Sequence, residues 1–175
     1  MNYIFLDNGF EEIEAITTID LLRRANILVT TVSITGIETV LGAHNIAIKA
    51  DALFQTIDFS DAEMLILPGG ATKLIEHNDL CELLQQHNNA NKLIAAICAA
   101  PAVLGQLGIL HGKQATCYPG FEGALGESFI GGLVVESKNI ITAKGPGLSS
   151  DFAFCIIEKL KGADVADQVY DTAQY

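Results

Sequence analysis

Positive charge is scarce in this chain: 10 Lys and Arg stand against 21 Asp and Glu, a formal net charge of −11 over 175 residues. A phosphate backbone or an anionic membrane surface needs a basic face, so nucleic-acid and membrane partners are not expected. Long apolar runs are missing too. Without about 18 consecutive apolar residues, no transmembrane helix is expected. The stretch Met1-Asn2-Tyr3 carries no basic leader and Asp7 follows at once, so a signal peptide is not expected and the reading is cytoplasmic. Cysteine is sparse and scattered. Cys81, Cys98, Cys117 and Cys155 form no C-x-x-C and no Cys/His cluster at metal spacing. Free thiols are therefore expected, not a disulfide framework or a metal site. No G-x-G-x-x-G follows the first apolar run and no Gly-Lys-Ser/Thr appears, so no nucleotide cofactor is expected. His44, His77, His87 and His111 each sit in or near a polar or Gly-bearing stretch, and read as solvated surface side chains.

What is present is a chain with a core. Half of its residues are apolar and 18% are charged, which suits one folded domain spanning residues 1–175. Short apolar runs alternate with longer amphipathic segments, the pattern of βαβ units around a mostly parallel sheet with helices on both faces. Strands are expected at residues 3–6, 28–34, 64–67, 93–97, 114–117, 133–137 and 140–143. Residues 39–53 carry two extended pieces around Gly42, read as a hairpin at one edge. Helices are expected at 11–25, 74–87 and 100–107, and a last long one at 150–160. Open sheets of this kind bind ligands where chains leave the carboxyl ends of strands. Those exits are residues 7–10, 68–71, 98–101 and 143–148; three hold glycine and the fourth holds Cys98.

Cys98 follows Leu93-Ile94-Ala95-Ala96-Ile97 and precedes Ala99-Ala100-Pro101. A strand turns abruptly into a helix there, with proline in the first turn where it forfeits no hydrogen bond. The pattern is that of a nucleophile elbow, and a thiol at a helix N-terminus is favoured as thiolate. It is equally that of a small, packed, inert cysteine. Glu14 tips the balance. On a helical wheel for residues 11–25, Glu12, Asp20, Arg23 and Arg24 share one arc, while Glu14 falls among Ala15, Thr18, Leu21 and Leu22 on the other. A carboxylate on a core-facing stripe is costly unless paired or protonated, so it is either a carboxyl of raised pKa or a rim group bending to water. Pro68-Gly69-Gly70 ends a strand, and its amides can converge on an anion or serve an ordinary turn. Gly145-Pro146-Gly147 is open to the same two readings.

Together these residues resemble the ThiJ/PfpI superfamily, in its DJ-one and YajL-like branch. The resemblance is carried by Gly9-Phe10-Glu11-Glu12-Ile13-Glu14-Ala15, Leu22-Arg23-Arg24-Ala25 and Leu67-Pro68-Gly69-Gly70. It continues through Ala95-Ala96-Ile97-Cys98-Ala99-Ala100-Pro101, Thr116-Cys117-Tyr118-Pro119 and Gly145-Pro146-Gly147. It implies a flavodoxin-like sandwich, akin to class I glutamine amidotransferases, that forms a homodimer. Cys98 becomes the nucleophile and Glu14 the protonated carboxyl at its sulfur. Amides of Gly70 and Ala99 form an oxyanion pocket, with Gly69, Tyr118, Gly145 and Pro146 around it. The implied activity is cofactor-free glyoxalase or deglycase chemistry on a small aldehyde or a glycated substrate. The alternatives are a redox sensor or chaperone working through Cys98 oxidation, and the family label of thiamine thiazole-monophosphate biosynthesis. Ala99 stands where protease-like members carry histidine, so a peptidase is not expected. Tyr118 replaces the histidine of animal relatives, which implies low turnover, and His44 replaces an arginine near their dimer interface. Cys117 has no counterpart in those relatives and reads as a resolving thiol or as core.

Overall fold

The computed structural model describes residues 1–70 and 73–175. Ala71, the last residue of the expected exit segment 68–71, lies outside them. Strand β1 (Asn2–Leu6) leads to helix α1 (Glu12–Arg24) and strand β2 (Val29–Ser33). Next come β3 (Thr39–Leu41), β4 (Ala47–Lys49), β5 (Ala52–Leu53), β6 (Met64–Leu67), α2 (Asn78–Asn89), β7 (Leu93–Ile97) and α3 (Pro101–Gln106). The chain continues through α4 (Glu122–Leu125), β8 (Val134–Ser137), β9 (Ile140–Ala143), α5 (Ser149–Lys161) and α6 (Ala163–Ala173). The described strands form a seven-stranded sheet in the order β5-β2-β1-β6-β7-β9-β8. All its pairings are parallel except β8 with β9. The expected doubly covered, mostly parallel sheet is what the chain builds.

Period-two alternation explains how both faces are covered. Tyr3, Phe5, Leu65, Leu67, Ile94 and Ala96 point into one apolar cluster with α2 and α3. Ile4, Leu6, Met64, Ile66, Ala95 and Ile97 point into the other, with α1, α5 and α6. Phe152 of α5 is fully buried in that second cluster, which also holds Ala15 and Leu22 of α1. The packing of α5 thus fixes where α1 presents its side chains.

Four departures from the expected pattern have physical causes. Residues 114–117 do not form a ladder strand; Ala115 makes an isolated bridge to Phe129, and Thr116 donates its amide to Thr142 Oγ1 at 2.9 Å. Their backbone needs are met singly by loops and a side chain. Residues 39–49 pair as a separate antiparallel hairpin of β3 and β4, while β5 alone extends the main sheet beside β2. The chain does not end with α5. Gly162, at φ 88°, closes that helix and α6 follows, burying Ala166 and Val169. His87 is buried rather than solvated, its Nε2 lying 3.1 Å from the Leu93 carbonyl.

Phe152→Ala should cost about 3–5 kcal/mol in urea unfolding, because the ring has no exposure and its cavity cannot collapse without moving α1. A loss below about 1 kcal/mol would show that α5 does not brace α1.

Candidate active site

Three carboxyl-end exits meet at one place. Gly69 and Gly70 leave β6, Cys98 leaves β7, and α1, which follows β1, lays Glu14 against both. The geometry is tightest at Gly69, where a Cβ would come within 2.6 Å of the Cys98 Cβ and 2.7 Å of Glu14 Oε2. Gly70 sits at φ +84° with the backbone of Phe10 and Glu11 against it; a Cβ would lie 2.5 Å from the Glu11 nitrogen. Neither position admits a side chain.

Cys98 itself has φ 65°, in the left-handed region that a non-glycine residue enters at a cost on the order of 1–3 kcal/mol. The turn is held on both sides. The Cys98 amide donates to the Ala143 carbonyl at 2.9 Å, and the Cys98 carbonyl accepts from the Tyr118 amide at 2.8 Å. The side chain is half-buried. This is the conformation the elbow reading calls for, and it is not that of a cysteine packed by default.

Glu14 has no exposure at all. Its Oε2 accepts the Gly69 amide at 2.7 Å, while Oε1 has no hydrogen-bond partner among the described residues. A negative charge there would be half unsolvated, so the carboxyl favours its protonated form. Burial accordingly pushes it up to about 7, against the pull of the Gly69 amide and of Cys98, with the Glu11 charge adding to the rise. Burial and the Glu14 charge push the Cys98 thiol up to about 12, while the amides of Ala99 and Gly70 pull it down. These pressures are linked. A proton on Glu14 removes the charge that opposes the thiolate, so the two groups share a proton and titrate as a pair.

The remaining expected residues surround this pair. Tyr118 is exposed, and its ring lies against Gly145, where a Cβ would meet a ring carbon at 3.0 Å. Pro146 follows on the same rim, opening a short 3-10 turn. Cys117 points away from the site: it is 1% exposed within the cluster that α2 and α3 cover, which places it in the core.

Glu12 is the residue the wheel misplaced. It is buried, because the β3–β4 hairpin folds over the start of α1. The Gly9 amide donates to Leu41 and the Ala43 amide to Phe10, tying the hairpin down. Glu12 Oε1 accepts the His44 amide at 2.6 Å and the Ile46 amide at 3.4 Å; Oε2 lies 2.9 Å from His44 Nδ1. Burial alone would raise its carboxyl, but these donors bring it down to about 2. No local pattern in α1 announces this, since the cover comes from a segment some thirty residues on.

Glu12 and Glu14 therefore set opposite edges of a stability window. A carboxyl lowered on folding stabilises above its unfolded value and loses that contribution as pH falls; one raised on folding stabilises at low pH and loses it as pH rises. For Glu14 the loss runs from about 4.5 to about 7. Chemical denaturation across this range should show wild-type stability declining with pH, and Glu14→Gln flattening that limb. An unchanged slope in Glu14→Gln would mean that the buried carboxyl is already ionised.

The sequence model of the DJ-1/PfpI family matches residues 2–159. Protein DJ-1alpha of Drosophila melanogaster is 37% identical over 173 residues, covering 95% of this chain and 80% of its own. The glutathione-independent glyoxalase DJR-1.2 of Caenorhabditis elegans is 34% identical over 159 residues, covering 88% of this chain and 84% of its own. Oxidized Toxoplasma gondii DJ-1 superposes with a TM-score of 0.95 at 32% identity, covering 99% of this chain and 97% of that one.

Proposed function

Because the chain belongs to the DJ-1/PfpI family, we propose that it converts small α-oxoaldehydes such as methylglyoxal to 2-hydroxy acids through Cys98, without a cofactor. The observation that carries this reading is a strained, half-buried cysteine beside a fully buried carboxyl with an unpartnered oxygen. The Cys98 sulfur adds to the aldehyde carbon, forming a hemithioacetal, and the Glu14 proton passes to the new alkoxide. The amides of Gly70 and Ala99 face the oxygen on which charge develops. Glu14, now a carboxylate, removes the hydrogen from the former aldehyde carbon and delivers it to the neighbouring carbon, while the hydroxyl proton passes from the first oxygen to the second. The product is a thioester of the 2-hydroxy acid. Water cleaves the thioester, releasing lactate and the free thiol; the sum is methylglyoxal plus one water, with no external electrons. The similar Caenorhabditis elegans protein is a glutathione-independent glyoxalase, which supports this reading. Glycated amines belong to the same reaction class, since they release the same carbonyl carbon. Tyr118 borders the pocket where an imidazole base would speed proton transfer, so turnover is low.

A second reading uses the same thiol. Peroxide oxidises Cys98 to the sulfenate and then the sulfinate, each step releasing one water, and the Glu14 proton is shared with the sulfinate oxygen. The unpartnered Glu14 Oε1 favours it, as does an oxidised structure among the relatives. In this reading the protein senses or protects.

The assembly is a homodimer. The mixed face expected of α1 is satisfied within the chain, Arg23 with Asp51 at 2.9 Å and Arg24 with Asp20 at 2.7 Å. Among the side chains that α1 and the hairpin leave exposed are four large apolar ones, Ile13, Ile16, Leu41 and Ile46. Such a face is suited to a second copy. A cytoplasmic site of action fits the reduced thiol, and among the described residues no helix is long and apolar enough to cross a membrane.

Lactate formed from methylglyoxal without glutathione tests the chemistry. Cys98→Ala should lose activity by about 100-fold or more, and Glu14→Gln should fall comparably while its thiol still reacts with iodoacetamide. Wild-type turnover by Glu14→Gln would reduce Glu14 to a packing residue. A wild type that makes no lactate, yet forms a sulfinate at Cys98 with peroxide, would leave the second reading.

A further inference from the structure

We propose that Glu11 and His44 are positioning residues for the Cys98–Glu14 pair: a charge couple outside the pocket that sets how readily the pair releases its proton. This rests on the assignment of Cys98 and Glu14 as the reacting pair, and not on the identity of the substrate.

Glu11 is the extended N-cap residue of α1, three residues before Glu14, and its charge reaches the Glu14 carboxyl. It cannot swing away at its root. Its amide donates to the Gly69 carbonyl at 2.9 Å, and Gly70 is pressed against that same nitrogen. Its side chain is only 14% exposed. A carboxylate fixed there repels any second negative charge arising at Glu14 or Cys98. The groups facing Glu14 from the other elements are the Gly69 amide at the end of β6 and the Cys98 thiol at the end of β7; neither cancels Glu11.

The hairpin supplies the compensating charge. His44 Nδ1 lies 3.6 Å from Glu11 Oε2 and 2.9 Å from Glu12 Oε2. Other nearby cations are engaged elsewhere: Lys49 with Glu38 at 3.1 Å, Arg23 with Asp51, and Arg24 with Asp20. Among the described residues, His44 is thus the cation that faces Glu11. Unlike lysine or arginine, it loses its charge within the pH range of ordinary metabolism. Hydrogen bonding to Glu12 and the charges of Glu11 and Glu12 raise its pKa, which keeps it charged further into that range.

The consequence is a pH-dependent field on the pair. With His44 protonated, Glu11 is compensated and the pair gives up its proton more easily. As His44 loses its proton, the Glu11 charge is uncovered and the pair holds on more tightly. Activation of the thiol is then spread over a wider pH range than one titration with a constant field would give.

The test is the rate of Cys98 alkylation by iodoacetamide, from about pH 5 to about pH 10, on the full chain with peptide mass spectrometry to separate the four cysteines. His44→Arg keeps a permanent cation and His44→Gln removes it. Their profiles should differ by about half a pH unit or more, with wild type following His44→Arg at the acid end and His44→Gln at the alkaline end. Glu11→Gln should move the profile toward acid and shrink the difference between the two His44 substitutions made in its background. Thermal melts and light scattering confirm that the His44 variants fold and assemble as the wild type does before the profiles are compared. Superimposed profiles for His44→Arg and His44→Gln would overturn the proposal, as would a wild-type profile for a folded Glu11→Gln. No carbonyl substrate enters the measurement, so a protein inert toward methylglyoxal can still pass or fail it.

Discussion

The whole site depends on two missing side chains. Gly69 lets the Cys98 Cβ and the Glu14 carboxyl come together across a single backbone thickness. Gly70 lets the loop before α1 close on the same turn. Replace either hydrogen with a methyl group and three chain segments must separate: the exit of β6, the exit of β7 and the start of α1. The large parallel sheet, packed on both faces, supplies the rigidity that holds these exits in register. The fold's contribution to chemistry is therefore positional. It brings an amide, a thiol and a carboxyl from distant parts of the chain to one point.

Much of this was legible in the sequence because it is encoded locally. The apolar runs at residues 64–67 and 93–97 coincide with β6 and β7. The inward angle of Glu14 on α1 was readable from helical periodicity, and it is fully buried. Cys98 was readable locally either as an elbow, from the abrupt change of period and the proline behind it, or as a packed cysteine; its backbone is left-handed, at φ 65°. Two of the misreadings come from burial that the local pattern does not show. Glu12 lies on the polar arc of its own helix, but a hairpin more than thirty residues away covers it. His87 occupies a polar stretch of α2, yet its ring is enclosed next to Leu93. Residues 114–117 have strand composition but find no continuous neighbour. Helix α6 carries Val165, Ala166, Val169 and Tyr170 at helical spacing, a pattern that Gly162 hides by marking an apparent end.

Neighbouring acidic residues on α1 meet contrasting fates. Glu12 is surrounded by donors and stays charged to about pH 2, whereas Glu14 has one donor and an empty oxygen and is pushed up to about 7. Solvation by backbone amides, and not depth alone, separates them. Glu11 completes the series with a partly sheltered carboxylate whose imidazole partner is itself titratable. One turn of helix thus carries a carboxylate held charged by its donors and a carboxyl whose burial favours the protonated form.

The backbone of Cys98 also bears on how the sequence can drift. Glycine is the residue that the left-handed turn prefers on conformational grounds, so mutation toward glycine at this position relaxes the fold while abolishing the nucleophile. Selection for stability and selection for chemistry then pull in opposite directions at a single codon. Cysteine at this position therefore sits against the conformational preference of its own backbone.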